Sequence, residues 1–256
     1  MIKVVSFNLR CVWDGDGING FIHRAGEIYD KIQQEKPDII GFQEVIPRQR
    51  EWMEWMEKEY TIVGQFRSED FSGEGTFVAI KKASFEVLAF DSFWLSPTPY
   101  VAGSRYEEQS LCPRICNFVK VRNKDTGRIY RVINTHLDHE SEQAQIQGLQ
   151  CIFEHLKELD DKAFFPLMLM GDFNAEPGSE TIQFCNGYQN GMLKDVTDGI
   201  QTTFHNYGRQ KKDCKIDYIY LTSELAEKVV ETGIWDDVHE GIYLSDHYPV
   251  YTMINE

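Results

Sequence analysis

The sequence predicts a single α/β domain in which two packed β-sheets carry helices on their outer faces. Two observations support this reading. Apolar runs of strand length, several rich in β-branched and aromatic residues, outnumber the segments with helical periodicity. Many strands with few helices make one sheet the natural cover for another, with the helices outside. A chain of 256 residues buries a substantial core and lies near the size at which a single core stops growing. One domain over residues 1–256 is therefore expected, and no repeat at the level of identity, low-complexity run or Pro/Gly/Ser linker divides it.

Taken in order, Val4-Val5-Ser6-Phe7 reads as the first strand. Ile22, Ala25, Ile28 and Ile32 share one face of a helix that Pro37 ends. Asp38-Ile39-Ile40-Gly41-Phe42 reads as a buried strand that delivers Gln43-Glu44 at its C-terminal end. Pro47 suits the first turn of a second helix, where its missing N–H costs nothing, and Trp52, Trp55 and Met56 on that helix read as core. From 76 to about 130 the chain is β-rich, with strands at 77–80, 85–90 and 117–122. Lys124-Asp125-Thr126-Gly127 makes a hairpin turn into a returning strand at 128–134. Ile146, Leu149, Phe153 and Leu156 sit at helical spacing and predict a helix over 142–159. Pro166-Leu167-Met168-Leu169-Met170 is short and apolar throughout, as a buried strand requires. Later strands are expected at 202–204, 216–221 and 248–253.

Charge and cysteine content narrow the function classes. A formal net charge of −15 argues against a protein that holds long nucleic acid non-specifically, because such proteins gather Lys and Arg on phosphates. A bound divalent cation reverses the field locally, so the acidity lowers the nucleic-acid reading without removing it. The six cysteines are scattered; Cys112 and Cys116 have the wrong spacing for a zinc knuckle and no second pair completes them. Reduced thiols are expected, consistent with the cytoplasm. Met1-Ile2-Lys3 runs straight into a strand without the marks of a secretory signal, and no apolar run reaches membrane-spanning length. A cytoplasmic monomer is the expectation.

The chemistry lies where polar residues interrupt apolar strands. Asn8 follows Val4-Val5-Ser6-Phe7, and Glu44 follows Ile39-Ile40-Gly41-Phe42. Asn134-Thr135-His136-Leu137-Asp138 ends the strand at 128–134, and Gly171-Asp172-Phe173-Asn174 ends the one at 167–170. Asp217 is embedded in Ile216-Asp217-Tyr218-Ile219-Tyr220, and Ser245-Asp246-His247 precedes Tyr248-Pro249-Val250. A carboxylate, amide or imidazole at such a place is expensive unless it is paired, hydrogen-bonded or holding a metal. Singly, each has a plain structural alternative: a loop hydrogen bond for Asn8, a salt bridge for Glu44, a turn cap for Asp172 and Asn174. All six together point to one shared site. Carboxylates and amides without cysteine make a hard, oxygen-rich environment that suits magnesium, with manganese as a substitute, better than zinc. Histidines beside them supply groups that carry protons near neutral pH. The sequence has no glycine-rich loop of the P-loop or Rossmann type, and Gly73-Glu74-Gly75 is a lone loop fragment.

In this order, Ser6-Phe7-Asn8, Gln43-Glu44, the 134–138 motif, the 171–174 motif, Ile216-Asp217-Tyr218 and Ser245-Asp246-His247 resemble the endonuclease/exonuclease/phosphatase superfamily. The similarity runs from Ser6 to Pro249. Each motif is weak, but the ordered set is specific. The resemblance implies the DNase I-like fold, a four-layer α/β/β/α sandwich, and metal-dependent phosphoester hydrolysis. It implies Glu44 as the principal magnesium ligand, supported by Asn8 and Asp246. Asp172 would orient or deprotonate the attacking water, with Asn174 fixing that water or the phosphate oxygens. His247, oriented by Asp217, would stabilise charge on the phosphate. His136 would touch a non-bridging oxygen or help protonate the leaving group. The acidic surface favours a small or compact phosphorylated substrate, with nucleic acid as the alternative and a non-catalytic phospho-ligand module as a remoter one.

Arg114 is a candidate for substrate phosphate or a structural ion pair. Arg209, Lys211, Lys212 and Lys215 form a basic patch that either draws phosphate toward the site or is a solvated loop. Trp94 and Tyr100, in a stretch that resembles a segment of small bacterial family members, are candidates for stacking on a base or sugar, with core packing as the default.

Overall fold

Two parallel strand pairs set the plan, one in each of two mixed six-stranded sheets. The computed structural model describes residues 1–160 and 163–256. β1 (Ile2–Asn8) crosses through α1 (Phe21–Glu35) to the parallel β2 (Ile39–Val45), and α2 (Pro47–Trp52) follows. β3 (Tyr60–Phe66) and β4 (Gly75–Lys81) form a hairpin against β2. β5 (Phe85–Trp94), β6 (Ile115–Asn123) and β7 (Ile129–His136) build an antiparallel meander. α3 (Glu142–Asp160) then crosses to β8 (Leu167–Asp172), parallel to β7. After α4 (Glu180–Gly187) and β9 (Leu193–Asp195), β10 (Asp217–Thr222) lies antiparallel between β8 and β9. α5 (Ser223–Ala226), β11 (Val229–Ile234), the short hairpin β12 (Val238–His239) and β13 (Ile242–Tyr243), and β14 (Val250–Ile254) complete the chain. The first sheet runs β11-β14-β1-β2-β4-β3 and the second β5-β6-β7-β8-β10-β9.

Strand alternation sorts the apolar residues into three layers. Val4, Ile39, Val78, Val132, Met168, Met170 and Ile219 fill the space between the sheets. Val5, Phe7, Ile40 and Phe42 face outward onto Ile28 and Ile32 of α1. Ile133, Leu169, Tyr218 and Tyr220 face outward onto Leu149, Ile152 and Leu156 of α3. The predicted two-sheet sandwich with helices outside is the observed one.

Several details differ from the sequence reading. α1 buries Phe21, Arg24, Ile28 and Ile32, whereas Ile22 is 72% exposed. The face begins one residue earlier than expected and admits an arginine. Arg24 is fully buried because it donates to four backbone carbonyls, those of Leu9, Arg10, Asn19 and Leu244, tying the loop after β1 to the loop before β14. The second helix gives way at Met53 to a 3-10 turn over Met53–Lys58, so Met53 and Met56 are buried and Trp52 and Trp55 only half-buried. Residues 202–204 form no strand; Phe204 makes one isolated bridge to His247. β3, β9 and β11 were not foreseen; β9 spans three residues, and β11 is an edge strand with a weak apolar pattern.

Candidate active site

The two parallel pairs end at the same edge of the sandwich, and the antiparallel strands beside them begin there. Asn8 aligns with Gln43 in the first sheet, and His136 with Asp172 in the second. Asp217 opens β10 directly opposite Asp172. β14 starts beside Ser6, so Asp246 and His247 arrive at the same edge. β6 starts beside Thr135, which brings Arg114 there too. Alternation points Asn8, Gln43, Asn134, His136, Asp172 and Asp217 into the space between the sheets, continuing the rows of Val4, Ile39, Val132, Met170 and Ile219.

Two local departures sharpen this. On β2 the pairing slips between Phe42 and Val45, and Glu44 takes φ +58°. Plain alternation would send Glu44 outward with Ile40 and Phe42; the bulge re-aims it toward the pocket. At Gly171, with φ +152°, a Cβ would lie 1.9 Å from the Thr135 carbonyl oxygen. Only glycine lets β8 approach β7 closely enough to set Asp172 beside His136.

The side chains form one connected network. Asn8 Nδ2 donates to Glu44 Oε1 at 3.1 Å and to Asp172 Oδ2 at 2.9 Å, while its Oδ1 accepts from Arg10 N at 2.9 Å. Cys11 N donates to Glu44 Oε2 at 3.0 Å. Asn174 N donates to Asp172 Oδ1 at 2.9 Å, and Asn174 Nδ2 lies 3.0 Å from His136 Nε2. His247 Nδ1 lies 2.8 Å from Asp217 Oδ2, and His247 Nε2 lies 3.9 Å from Asp172 Oδ2. Beneath this layer Gln43 Nε2 donates to Asn134 Oδ1 at 2.7 Å, and Asn134 Nδ2 donates to the carbonyls of Phe42 and Phe77. That amide clasp joins the two sheets one residue before Glu44 and two before His136.

The protonation states follow from these contacts. Burial disfavours the His247 imidazolium, but Asp217 and then Asp172 outweigh it and push its pKa up to about 10. Burial, then the nearby Asp217 charge, pushes Asp172 up to about 7. Burial, then the cations Arg114 and Arg67, holds His136 well below the ordinary histidine range, so it is neutral. Burial would raise Glu44, yet His247, the Cys11 N–H, Asn8 and Arg10 hold it below the usual carboxylate range. Asp246 moves the other way, raised by burial and by Glu44 against His247, Arg10 and Arg24.

A pocket of about 450 Å³ opens over this network, lined by Glu44, His136, Asp172, Asn174, Asp246 and His247 among others. Asn8 and Asp217 stand behind its wall. Arg114 is buried and lines it, with Nη2 2.7 Å from His139 Nδ1 and Nε 3.7 Å from Asp138, while Nε and Nη1 make no hydrogen bond. Two groups of acidic and histidine side chains are spaced to hold a metal, Glu44–His136–Asp172 and Asp172–Asp217–His247. In the second, His247 Nδ1 is already engaged by Asp217 at 2.8 Å.

Every predicted site residue is thus brought to one edge. The predicted basic patch is not a unit. Lys215 is buried, donating to Asp195 Oδ2 at 2.6 Å and to the Thr197 carbonyl, while Arg209, Lys211 and Lys212 are exposed. Trp94 is buried with Nε1 donating to the Arg67 carbonyl, and Tyr100 is exposed and bound to Asp91; neither lines the pocket. Sequence reasoning missed Arg10, Arg67 and Glu74, which line the pocket from loops. Glu74 lay within the fragment passed over as Gly73-Glu74-Gly75.

The model of the endonuclease/exonuclease/phosphatase family matches residues 5–247, nearly the whole chain. The chain belongs to that family. Its members are metal-dependent phosphoester hydrolases, so this family member is one by descent. An endonuclease/exonuclease/phosphatase from Bacteroides vulgatus is 28% identical with TM-score 0.88, covering 99% of each chain. A mannosyl-6-phosphatase of Bacteroides thetaiotaomicron is 26% identical with TM-score 0.88, covering 100% of each chain. The human Nocturnin catalytic domain, 18% identical over 98% of this chain and 92% of its own with TM-score 0.74, shares the fold. No curated protein matches the sequence significantly. Among the described residues no helix is long and apolar enough to cross a membrane.

Proposed function

We propose that this phosphoesterase uses magnesium to hydrolyse the phosphate ester of a small or compact substrate. The observation that carries this reading is the convergence of Asp172, Asn174, His136 and His247 with Glu44 and Asp246 on one pocket, where Asn8 bridges Glu44 and Asp172. The donor set fits a hard cation: among the described residues the Glu44 oxygens accept from the Cys11 and Asn8 N–H groups and from no side-chain cation, while Asp246 has Arg10 Nε at 3.5 Å. Glu44 and Asp246 would hold magnesium, or manganese in its place, and Asn8 would set Glu44 from behind through its amide. Bound there, the cation supplies charge that neutralises the phosphate oxygens.

The remaining work falls to the chain's own groups. Asp172, at about 7, is a base matched to neutral pH and takes a proton from the attacking water as the new O–P bond forms and the ester bond breaks, the departing alkoxide taking its proton from solvent water. Asn174, anchored through its backbone to Asp172, directs its amide toward that water or the phosphate. His247 offers an Nε2–H to a phosphate oxygen while Asp217 fixes the ring through Nδ1. Neutral His136 suits hydrogen bonding to a phosphate oxygen and not proton donation to the leaving group. Arg114, beside Asp138 and His139 on the pocket wall, would add positive charge near the phosphate. A pocket of about 450 Å³ in a chain of net charge −15 favours a compact ester, as does similarity to a mannosyl-6-phosphatase. We read the chain as a cytoplasmic monomer, a reading its six scattered free cysteines are compatible with.

The test is one panel of phosphate esters, from sugar and inositol phosphates to single- and double-stranded oligonucleotides, with magnesium and with chelator. Chelator-sensitive cleavage of a compact ester is expected, abolished in Glu44→Ala and Asp172→Ala with circular dichroism unchanged. Turnover confined to oligonucleotides would overturn the substrate reading, and turnover indifferent to chelator the metal reading.

A further inference from the structure

One wall of the pocket takes no part in the chemistry above. Arg67 and Glu74 sit at the tip of the β3–β4 hairpin, where Arg67 N donates to the Glu74 carbonyl at 2.9 Å. Their side chains pair across the tip, Arg67 Nη2 to Glu74 at 2.9 Å, and both line the same pocket as Asp172 and His247. The tip is braced: Trp94 Nε1 donates to the Arg67 carbonyl at 2.6 Å, and Phe71 packs edge-on against Trp94. The paired side chains keep only 13% and 25% of their exposure, so a modest ligand would cover them fully. Among the described residues the Glu74 carboxylate has no other side-chain partner.

A carboxylate here is poorly placed for phosphate, which it repels, as it repels Glu44. It is well placed for neutral hydroxyl groups, whose hydrogens it accepts, while Arg67 balances its charge and offers further N–H donors to hydroxyl oxygens. Such a wall beside a phosphate-handling floor matches an alcohol rich in hydroxyls. We propose that the Arg67–Glu74 pair is the specificity-determining wall of this pocket and selects the phosphate ester of a sugar or other polyol. The inference rests on the compact-substrate reading and adds the class of alcohol. A site built to bond hydroxyls rejects the analogue that lacks them, because its buried polar groups are left unpaired.

The test compares kcat/KM for a hexose phosphate with that for hexyl phosphate, which is similar in length but carries no hydroxyls. The wild-type enzyme is expected to prefer the hexose phosphate, and Glu74→Ala to collapse that preference by about 10- to 100-fold, the loss of one or two charge-assisted hydrogen bonds. Glu74→Gln, which keeps one acceptor oxygen, should retain part of it. Equal kcat/KM on both esters in the wild type, or an unchanged ratio in Glu74→Ala, overturns this inference alone. Failure of every compact ester, with oligonucleotides cleaved, overturns the reading beneath it.

Discussion

At His247 two effects oppose each other, and the outcome fixes the useful pH range. Burial disfavours the charged ring, while Asp217 at 2.8 Å restores the charge and carries the pKa from its ordinary 6.5 to about 10. The raised value means that the pair stabilises the fold fully below about 6.5, and that this contribution drains away as pH rises through about 10. Asp172, raised from 3.8 to about 7 by burial and by Asp217, has the same sign: its contribution is complete below about 3.8 and lost as pH rises through about 7. Catalysis asks for Asp172 ionised and His247 protonated. The profile of kcat/KM against pH should therefore be a bell, with an acid limb at or below about 7 and an alkaline limb near 10. Raising magnesium should push the acid limb lower, since a cation beside the carboxylates favours their charged forms. In Asp217→Asn the alkaline limb should fall by several pH units, and kcat by up to roughly ten-thousandfold, as when the carboxylate orienting a catalytic histidine is neutralised. An alkaline limb that stays in place would detach His247 from the chemistry.

Element ends, more than elements, explain what the sequence disclosed. Asn8, Asp172 and Asp217 were legible because each interrupts a run of apolar residues, and alternation along β1, β8 and β10 then points all three between the sheets. Glu44 was legible as a residue but not as a direction, since its approach to the pocket depends on a bulge and a positive φ. Arg67 and Glu74 were illegible because the pairing of β3 with β4, with Phe66 opposite Gly75, brings them to the site, and β3 itself was not foreseen. Ile22 misled because a helix face one residue out of phase looks equally apolar until Arg24 is seen to bind four carbonyls. The clasp between Gln43 and Asn134 belongs to the same scale, for it locks the ends of β2 and β7 together across the two sheets. Asn134→Leu should cost about 2–4 kcal/mol, because it takes the Asn134 amide from the buried Phe42 and Phe77 carbonyls and cuts the link to Gln43 across the sheets. With the sheets free to shift, kcat should fall more than KM rises, since Glu44 and Asp172 lose their shared geometry. Chemical unfolding and steady-state kinetics on the one variant separate the two effects; a loss of stability with kcat intact would confine the clasp to folding.

Over the whole molecule the charge is −15, and the site must draw an anion through that field. The pocket answers locally with Arg10, Arg67 and Arg114, against the carboxylates of Glu44, Glu74, Asp172 and Asp246. Close to the phosphate those cations and a bound divalent ion dominate; farther out the net negative surface does. The Debye length shrinks from about 30 Å at 0.01 M salt to about 8 Å at 0.15 M, so salt screens the distant repulsion before it touches the contacts within the pocket. For an anionic compact ester at fixed free magnesium, kcat/KM should rise by about two- to fivefold over that range, the reverse of a positively steered encounter. An enzyme built for nucleic acid behaves oppositely: released counterions make its affinity fall steeply with salt. The exposed Arg209, Lys211 and Lys212 favour that behaviour here, and the exposed Asp213 next to them weakens it. Stopped-time assays across a salt series therefore separate the two substrate classes on global charge alone. A steep fall of kcat/KM with salt would show that the basic loop, rather than the net charge, governs encounter, and would return nucleic acid to the front as substrate.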